Sequence, residues 1–256
     1  MENSVLIIDR MHESLLEMLQ SRKVTVDYQP NITREEILER IQDYQGLIIR
    51  SKTAIDKALI DRASSLKFIA RAGSGLDKMD VPYLEEKGVQ FVNAPEGNRD
   101  SVGEHAVGML LSLLHRLNLA DLEVREKIWD REGNRGMELK GKTVGIYGYG
   151  FMGSALAEKL TGFGCHVIAY DKYKTGYGSD LVEECSLAVF QQRTEILSIH
   201  LPLASDTANL FTLDYLREKT SPSEEEKAKK QKVVKKVLGI GKKLPFGRFL
   251  PSRYIR

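Results

Sequence analysis

Short runs of apolar, often β-branched residues alternate along this chain with stretches whose apolar positions recur every three or four residues. "VLIID" (5–9), "VTVDY" (24–28), "GLIIR" (46–50), "FIARAG" (68–73) and "VQFVN" (89–93) predict strands. Between them "HESLLEMLQS", "TREEILERI", "DKALIDRA" and "VPYLEEKG" predict helices. Thr33 and Glu36 have the spacing of a capping box, and Gly88 follows the last periodic residue of its segment as a stop. Strands so uniformly apolar, alternating with helices, predict a parallel sheet covered on both faces.

Pro95 and Gly97 then mark a connection, and a long helix is predicted from about Ser101. It is apolar on several faces at its start, as for a helix sandwiched between domains or subunits; plain core packing is the alternative. A second alternating unit opens at "GKTVGIYGYG". It comprises a strand at 143–147, a helix near 152–162, the strand "CHVIAYD" (165–171) and a short strand near Val182. A helix capped by Ser186, the strand "EILSIHLP" (195–202) and a helix starting at Thr212 complete it. Beyond Thr220 the pattern gives way to charge clusters. Val233, Val234, Val237 and Leu238 make a narrow stripe among lysines, and "LPFGRFLPSRYIR" reads as extended or disordered. The chain divides into residues 1–98, 99–219 and a basic tail, 220–256. Overall the fold class is α/β, with one parallel-sheet unit followed by a second.

Composition adds an asymmetry. The formal net charge is +2, but residues 220–256 carry +8, which leaves −6 for the rest. A mildly acidic body argues against a nucleic-acid surface there. The basic stripe of the tail can touch membranes, nucleic acid or acidic partners, against a simpler reading as a solvated terminus. Out-of-frame coding sequence is a third account of the tail. Cys165 and Cys185 form neither a disulfide framework nor a metal pattern and read as small apolar fillers. No signal peptide and no bilayer-length apolar run is legible, so a cytoplasmic location is expected.

The richest chemistry lies in "VGIYGYGFMGSALAEKLTGFGCHVIAYD". Gly148, Gly150 and Gly153 form G-x-G-x-x-G directly after a predicted strand and at the opening of a helix. There the first glycine permits the turn, the second lets backbone approach a pyrophosphate, and the third lets helix and strand pack closely. Asp171 ends the next strand, where a carboxylate takes both ribose hydroxyls of an adenosine and repels a 2′-phosphate, favouring NAD over NADP. A structural turn or an S-adenosylmethionine site is the competing reading.

"GLIIRSKTAI", "LKFIARAGSGLDKMDVPYLEEKGVQFVNAPEGN", "SVGEHAVGMLLSLLHR", "ELKGKTVGIYGYGFMGSALAEKLTGFGCHVIAYD" and "ILSIHLPLASDTANLF" together resemble the D-isomer-specific 2-hydroxyacid dehydrogenases, most closely their phosphoglycerate dehydrogenase branch. The resemblance covers residues 1 to about 219. It implies a flavodoxin-like substrate domain, a Rossmann NAD-binding domain, and a homodimer acting on a small 2-hydroxy acid or its keto acid. It also implies that Ser74, Phe151, Met152, Asp171, Leu201 and Pro202 line the NAD site. Ser74 and Gly75 would offer backbone N–H groups to the substrate carboxylate, as an anion nest does. Arg50 and Arg71, each at the C-terminal end of a predicted parallel strand, would hold a substrate phosphate. Surface arginines paired with carboxylates are the alternative.

Oxidising a 2-hydroxy acid needs, besides NAD, a base for the hydroxyl proton, a partner that tunes it, and a cation on the carboxylate. The family uses a histidine, a glutamate and an arginine in "PHxGG"-, "LDVFxxEP"- and "NxxRG"-like segments, and none of these patterns occurs in these 256 residues. No catalytic residue is therefore assigned, and the Rossmann unit is expected to be incomplete. His200, at a strand end near the expected nicotinamide position, is the only candidate substitute base and has a structural reading in the family. His12, His105, His115 and His166 read as peripheral or packed, and no metal-ligand cluster is legible.

Overall fold

The computed structural model describes residues 4–204 and 206–212. Residues through Leu203 belong to one compact unit and a second begins at Ala204. The helix expected from Thr212 and the basic tail lie outside the described residues.

The first parallel sheet grows from five strands joined by four α-helices: β1 (Ser4–Ile7), α1 (Glu13–Ser21), β2 (Thr25–Tyr28), α2 (Arg34–Arg40), β3 (Gly46–Ile49), α3 (Lys57–Arg62), β4 (Phe68–Arg71), α4 (Val81–Glu86) and β5 (Gln90–Asn93). Its strand order is β2-β1-β3-β4-β5, the flavodoxin-like order. Both faces are covered, which is why the strands read as unbroken apolar runs. Leu6, Leu47, Ile49 and Ile69 pack with Ile37, Leu59 and Leu84 on one side. On the other, Val5, Ile7 and Ile48 meet Leu15, Leu16 and Leu19 of α1. Helix entry follows local chemistry: Thr33 and Glu36 make both bonds of the capping box, while Asp56 and Asp80 cap α3 and α4.

After a short 3-10 turn at Pro95–Asn98 come α5 (Arg99–Leu114) and α6 (Leu117–Arg125). The sequence pattern suggests a single long helix here. The chain instead breaks at Arg116, which takes the left-handed conformation (φ 54°), while the Leu114 carbonyl accepts the N–H of Met137 from the returning strand of chain. The second sheet follows, with β6 (Thr143–Tyr147), α7 (Phe151–Leu160), β7 (His166–Tyr170), β8 (Glu183–Glu184), α8 (Leu187–Arg193) and β9 (Ile196–Ile199). Among the described residues its order is β8-β7-β6-β9, all parallel. This matches the first four positions of the doubly wound dinucleotide fold. Val144, Ile146 and Ala169 pack against Leu156, Ala157 and Leu160 of α7 and against α5. The opposite face carries Tyr147, Tyr170 and Phe190, with Tyr147 meeting the other two rings edge-on at 5.1 and 5.6 Å.

α5 and α7 are held face to face. Gly103 lies so close to Ala155 that a Cβ on it would sit 3.1 Å from the Ala155 backbone. Arg99–Glu158 (2.5 Å) and Lys159–Asp100 (2.9 Å) clasp the same pair of helices. Among the described residues β9 pairs only with β6, and Ile199 is 47% exposed, so this strand is an edge as described.

Candidate functional site

The glycine loop leaves the C-terminal end of β6, beside the point where strand order reverses between β6 and β9. Each glycine answers to a different constraint. Gly148 has φ +92°, and a Cβ there would lie 2.6 Å from the His200 carbonyl oxygen and 3.0 Å from Leu201. A Cβ on Gly150 would meet nothing within 4 Å, so that side of the backbone is open to an approaching group. A Cβ on Gly153 would fall 2.2 Å from the Gly148 carbonyl oxygen, which is the close helix-strand approach expected of the third glycine. Gly150 supplies no side-chain cap to α7. The amides of the opening turn, at Phe151, Met152 and Gly153, stay available to an anion, where the helix dipole favours negative charge. Phe151 is half-exposed and Met152 partly buried.

Asp171, the first residue after β7, bends back onto this loop. Its Oδ2 accepts the N–H of Tyr149 at 2.7 Å, and its Oδ1 accepts those of Tyr173 (2.9 Å) and Lys174 (3.0 Å). Burial works against the charge, but these three backbone donors and the nearby Lys174 ammonium outweigh it and hold the carboxyl below its ordinary range. Asp171 is thus a fixed negative charge at the loop. It lines an open recess of about 410 Å³ together with Tyr170, Lys174, Tyr177 and Cys185. Tyr149 and Tyr177 stack at one side, with centroids 4.7 Å apart. Cys165 and Cys185 are partly buried, and burial raises both thiols. Leu201 reaches the loop from the end of β9, and Pro202 follows it. The structure therefore brings Gly148, Gly150, Phe151, Met152, Gly153, Asp171 and Leu201 to one sheet edge.

The remaining candidates gather at the C-terminal edge of the first sheet. Arg71 ends β4, with Ile49 of β3 as its register partner, and Arg50 follows directly. Asp9, beyond β1, crosses the switch point of this sheet, where its Oδ2 accepts the N–H groups of Arg50 (2.6 Å) and Lys52 (3.4 Å). Arg50 itself is exposed. The Arg71 side chain is only 11% exposed, and its closest carboxylate, Asp77, stands 3.9 Å from Nη1. Its Nε and Nη1 are buried with no hydrogen-bond partner among the described residues. The guanidinium lies against the turn that holds Ser74: ideal Cβ positions on Gly73 and Gly75 fall 3.7 and 3.9 Å from its nitrogens. A buried cation with unmet donors is an anion site in waiting.

His200 is mostly buried, its Nε2 is 2.8 Å from Ser198 Oγ, and burial lowers its pKa. That pairing is with a hydroxyl rather than a carboxylate. Among the described residues no group of three or more His, Cys, Asp or Glu is arranged to hold a metal, and no helix is long and apolar enough to cross a membrane. Sequence reasoning missed Asp9, Asn93 and the Tyr149 amide. Asp9 and Asn93 carried one faint signal, a polar residue closing an apolar strand.

A family profile described as "D-isomer specific 2-hydroxyacid dehydrogenase, catalytic domain" matches residues 5–237. The chain belongs to the D-isomer-specific 2-hydroxyacid dehydrogenase family. The match runs on past residue 219, where the family motifs read from the sequence stop. Members of this family are oxidoreductases that act on small 2-hydroxy acids with a nicotinamide cofactor. Against the D-3-phosphoglycerate dehydrogenase of Mycobacterium tuberculosis (strain ATCC 25618 / H37Rv) the chain is 36% identical over 220 residues, covering 85% of this chain and 41% of that protein. It thus spans about two fifths of that relative's length. Against the hydroxypyruvate reductase of Thermotoga maritima it is 32% identical over 205 residues, 80% of this chain and 65% of that one. The NAD-dependent formate dehydrogenase of Staphylococcus aureus, solved with NAD, superposes with a TM-score of 0.70 at 26% identity, covering 84% of this chain and 69% of that one.

Proposed function

We propose that this chain carries the cofactor-binding and substrate-anchoring parts of an NAD-dependent D-2-hydroxyacid dehydrogenase acting on D-3-phosphoglycerate. Residues 1–98 form the substrate domain in this reading and 99–219 the cofactor domain. One observation carries it: a glycine loop whose second position is open to a pyrophosphate, tied through the Tyr149 amide to the ionised carboxylate of Asp171. In this assignment the opening turn of α7 binds the pyrophosphate and Asp171 takes the ribose hydroxyls. A 2′-phosphate would meet a charge that three backbone donors keep in place, which favours NAD over NADP.

At the other edge the amides of Ser74 and Gly75 hold the substrate carboxylate. Arg71, and Arg50 beside it, hold the phosphate. Two guanidiniums suit a phosphorylated acid better than a simple one, and the relatives named D-3-phosphoglycerate dehydrogenase agree with that choice. NAD, when bound, supplies the hydride acceptor; the residues named here bind and orient. Exposed Leu113, Leu117, Leu122, Val124, Ile128 and Trp129 on and after α5 and α6 support a homodimer.

A second reading, an NAD-binding or dimer-forming module without turnover, is supported by His200 being bonded to Ser198 rather than to a carboxylate. Fluorescence titration of the purified chain tests the cofactor assignment. NADH is expected to bind at least about tenfold more tightly than NADPH, and Asp171→Ala to erase the difference. Equal affinity of the unaltered chain for both cofactors would overturn it. Reduction of NAD with D-3-phosphoglycerate by the purified chain separates the two readings, since measurable turnover would exclude the second.

A further inference from the structure

We propose that Asn93 is a positioning residue for the substrate carboxylate, acting through the turn at Gly73–Gly75; the inference rests on the assignment of that turn as the carboxylate site. Asn93 is the last residue of β5 and the register partner of Arg71. Its carboxamide Nδ2 donates to the Ser74 carbonyl oxygen at 2.7 Å, across 19 residues of sequence. The next residue adds a second tie, the Ala94 N–H donating to the Gly73 carbonyl at 3.0 Å. Two successive carbonyls of the turn are thereby drawn toward the end of β5.

In a trans peptide the C=O and the N–H point in opposite directions. Holding the Gly73 carbonyl toward β5 turns the Ser74 N–H away from it, and holding the Ser74 carbonyl does the same for the Gly75 N–H. Neither amide has a hydrogen-bond partner among the described residues. The buried Arg71 guanidinium lies against this same turn with Nε and Nη1 unpartnered.

The turn needs such a tie. Glycine at 73 and 75 leaves its backbone free to rotate, because neither residue has a Cβ to bar the flipped conformation. A flip of the 74–75 peptide would aim a carbonyl oxygen where the Gly75 N–H was, replacing attraction for a carboxylate with repulsion. The Asn93 carboxamide opposes that flip, since a flipped Ser74 carbonyl would leave a partly buried donor unmet. A carboxylate at position 93 has no proton to donate and would repel the carbonyl it now holds.

The full chain is titrated with oxalate, a dicarboxylate shaped like a 2-keto acid, and followed by the backbone amide resonances of Ser74 and Gly75. NADH binding is measured in parallel. Oxalate is expected to shift both amides in the unaltered chain. In Asn93→Ala and Asn93→Asp its Kd should rise about tenfold, the loss of one oriented hydrogen bond, with NADH affinity unchanged. Equal oxalate affinity in all three proteins would overturn the role of Asn93 and leave the turn assignment standing. A parallel loss of NADH affinity would also overturn it, by exposing a general structural effect. Failure of oxalate to perturb either amide in the unaltered chain would remove the turn assignment and this inference together. Should neither variant fold, the Asn93 side-chain NH2 resonances of the unaltered chain decide: retarded exchange and a shift with oxalate are expected, and free exchange with no shift refutes the tie.

Discussion

Replacing Gly153 by alanine should damage the fold, whereas the same change at Gly150 should damage only ligand binding. At 153 the new methyl would lie 2.2 Å from the Gly148 carbonyl oxygen and 3.0 Å from Ile146 Cγ2. A backbone oxygen in a tight turn cannot rotate aside, so α7 must shift by roughly 1 Å to restore an ordinary carbon–oxygen contact. That shift strains the face on which Ala155, Leu156, Ala157 and Leu160 are buried, and the Arg99–Glu158 and Lys159–Asp100 clasps to α5. Overpacking of this kind costs about 2–3 kcal/mol, which in a chain of this size lowers Tm by roughly 4–12 °C. Gly150 has φ −86° and open space around its Cβ direction. Alanine there loses only a preferred helix-cap residue, under about 1 kcal/mol, so Tm should fall by less than roughly 4 °C. Its methyl would occupy the ground assigned to the pyrophosphate, and NADH affinity should drop at least about tenfold. Differential scanning calorimetry and NADH titration of both variants make the test. If Gly153→Ala melts with the unaltered chain, or Gly150→Ala is the less stable of the two, the reasoning about the loop is wrong.

Asp27 predicts an acid-side weakness. Burial disfavours its charge, but hydrogen bonds from Tyr44, Gln29 and Arg40 outweigh that and hold the carboxyl below its ordinary 3.8. The stability it adds is full above that value and is lost as pH falls through the lower folded one; Asp27→Asn should flatten the pH dependence of the urea midpoint below about pH 4. Tyr44 is pushed up to about 12 by burial and by Asp27, so its contribution is full below 10 and is lost as pH rises through about 12, a limb that Tyr44→Phe should remove. Leu113→Glu places charge on a side chain 77% exposed within the apolar surface after residue 108; sedimentation equilibrium should show a dimer for the unaltered chain and a monomer for the variant, and an unchanged mass would remove that surface from the interface. Hydrogen exchange should be faster at β6, β7 and β9 than at β1, β3 and β4, because β9 has one partner strand among the described residues. Equal protection across both sheets would count against that.

Much of the architecture was legible because its causes are local. Apolar strands between amphipathic helices require a parallel sheet covered on both sides, and all nine described strands fall where the pattern put them, although β9 stops at Ile199, three residues short of its predicted end. The Thr33–Glu36 box and the Ser186 cap are matters of spacing alone. The continuation past Leu114 was not legible, because its apolar period runs on while the break comes from Met137 claiming the Leu114 carbonyl and from Arg116 entering the left-handed region. Periodicity reports which face is apolar and says nothing about a hydrogen bond donated from more than twenty residues away.

The candidate site divides along the same line. By itself the sequence determined a glycine loop between strand and helix, an acid at the end of the next strand, and arginines at two strand ends, since each depends on residue type and short spacing. Only the tertiary structure decided that Asp171 receives an amide from the loop, that Arg71 is buried with donors unmet, and that Asn93 closes on Ser74. Those outcomes depend on which strands become neighbours and in what register. Burial of many apolar side chains at once sets that order, and no short window of sequence contains it.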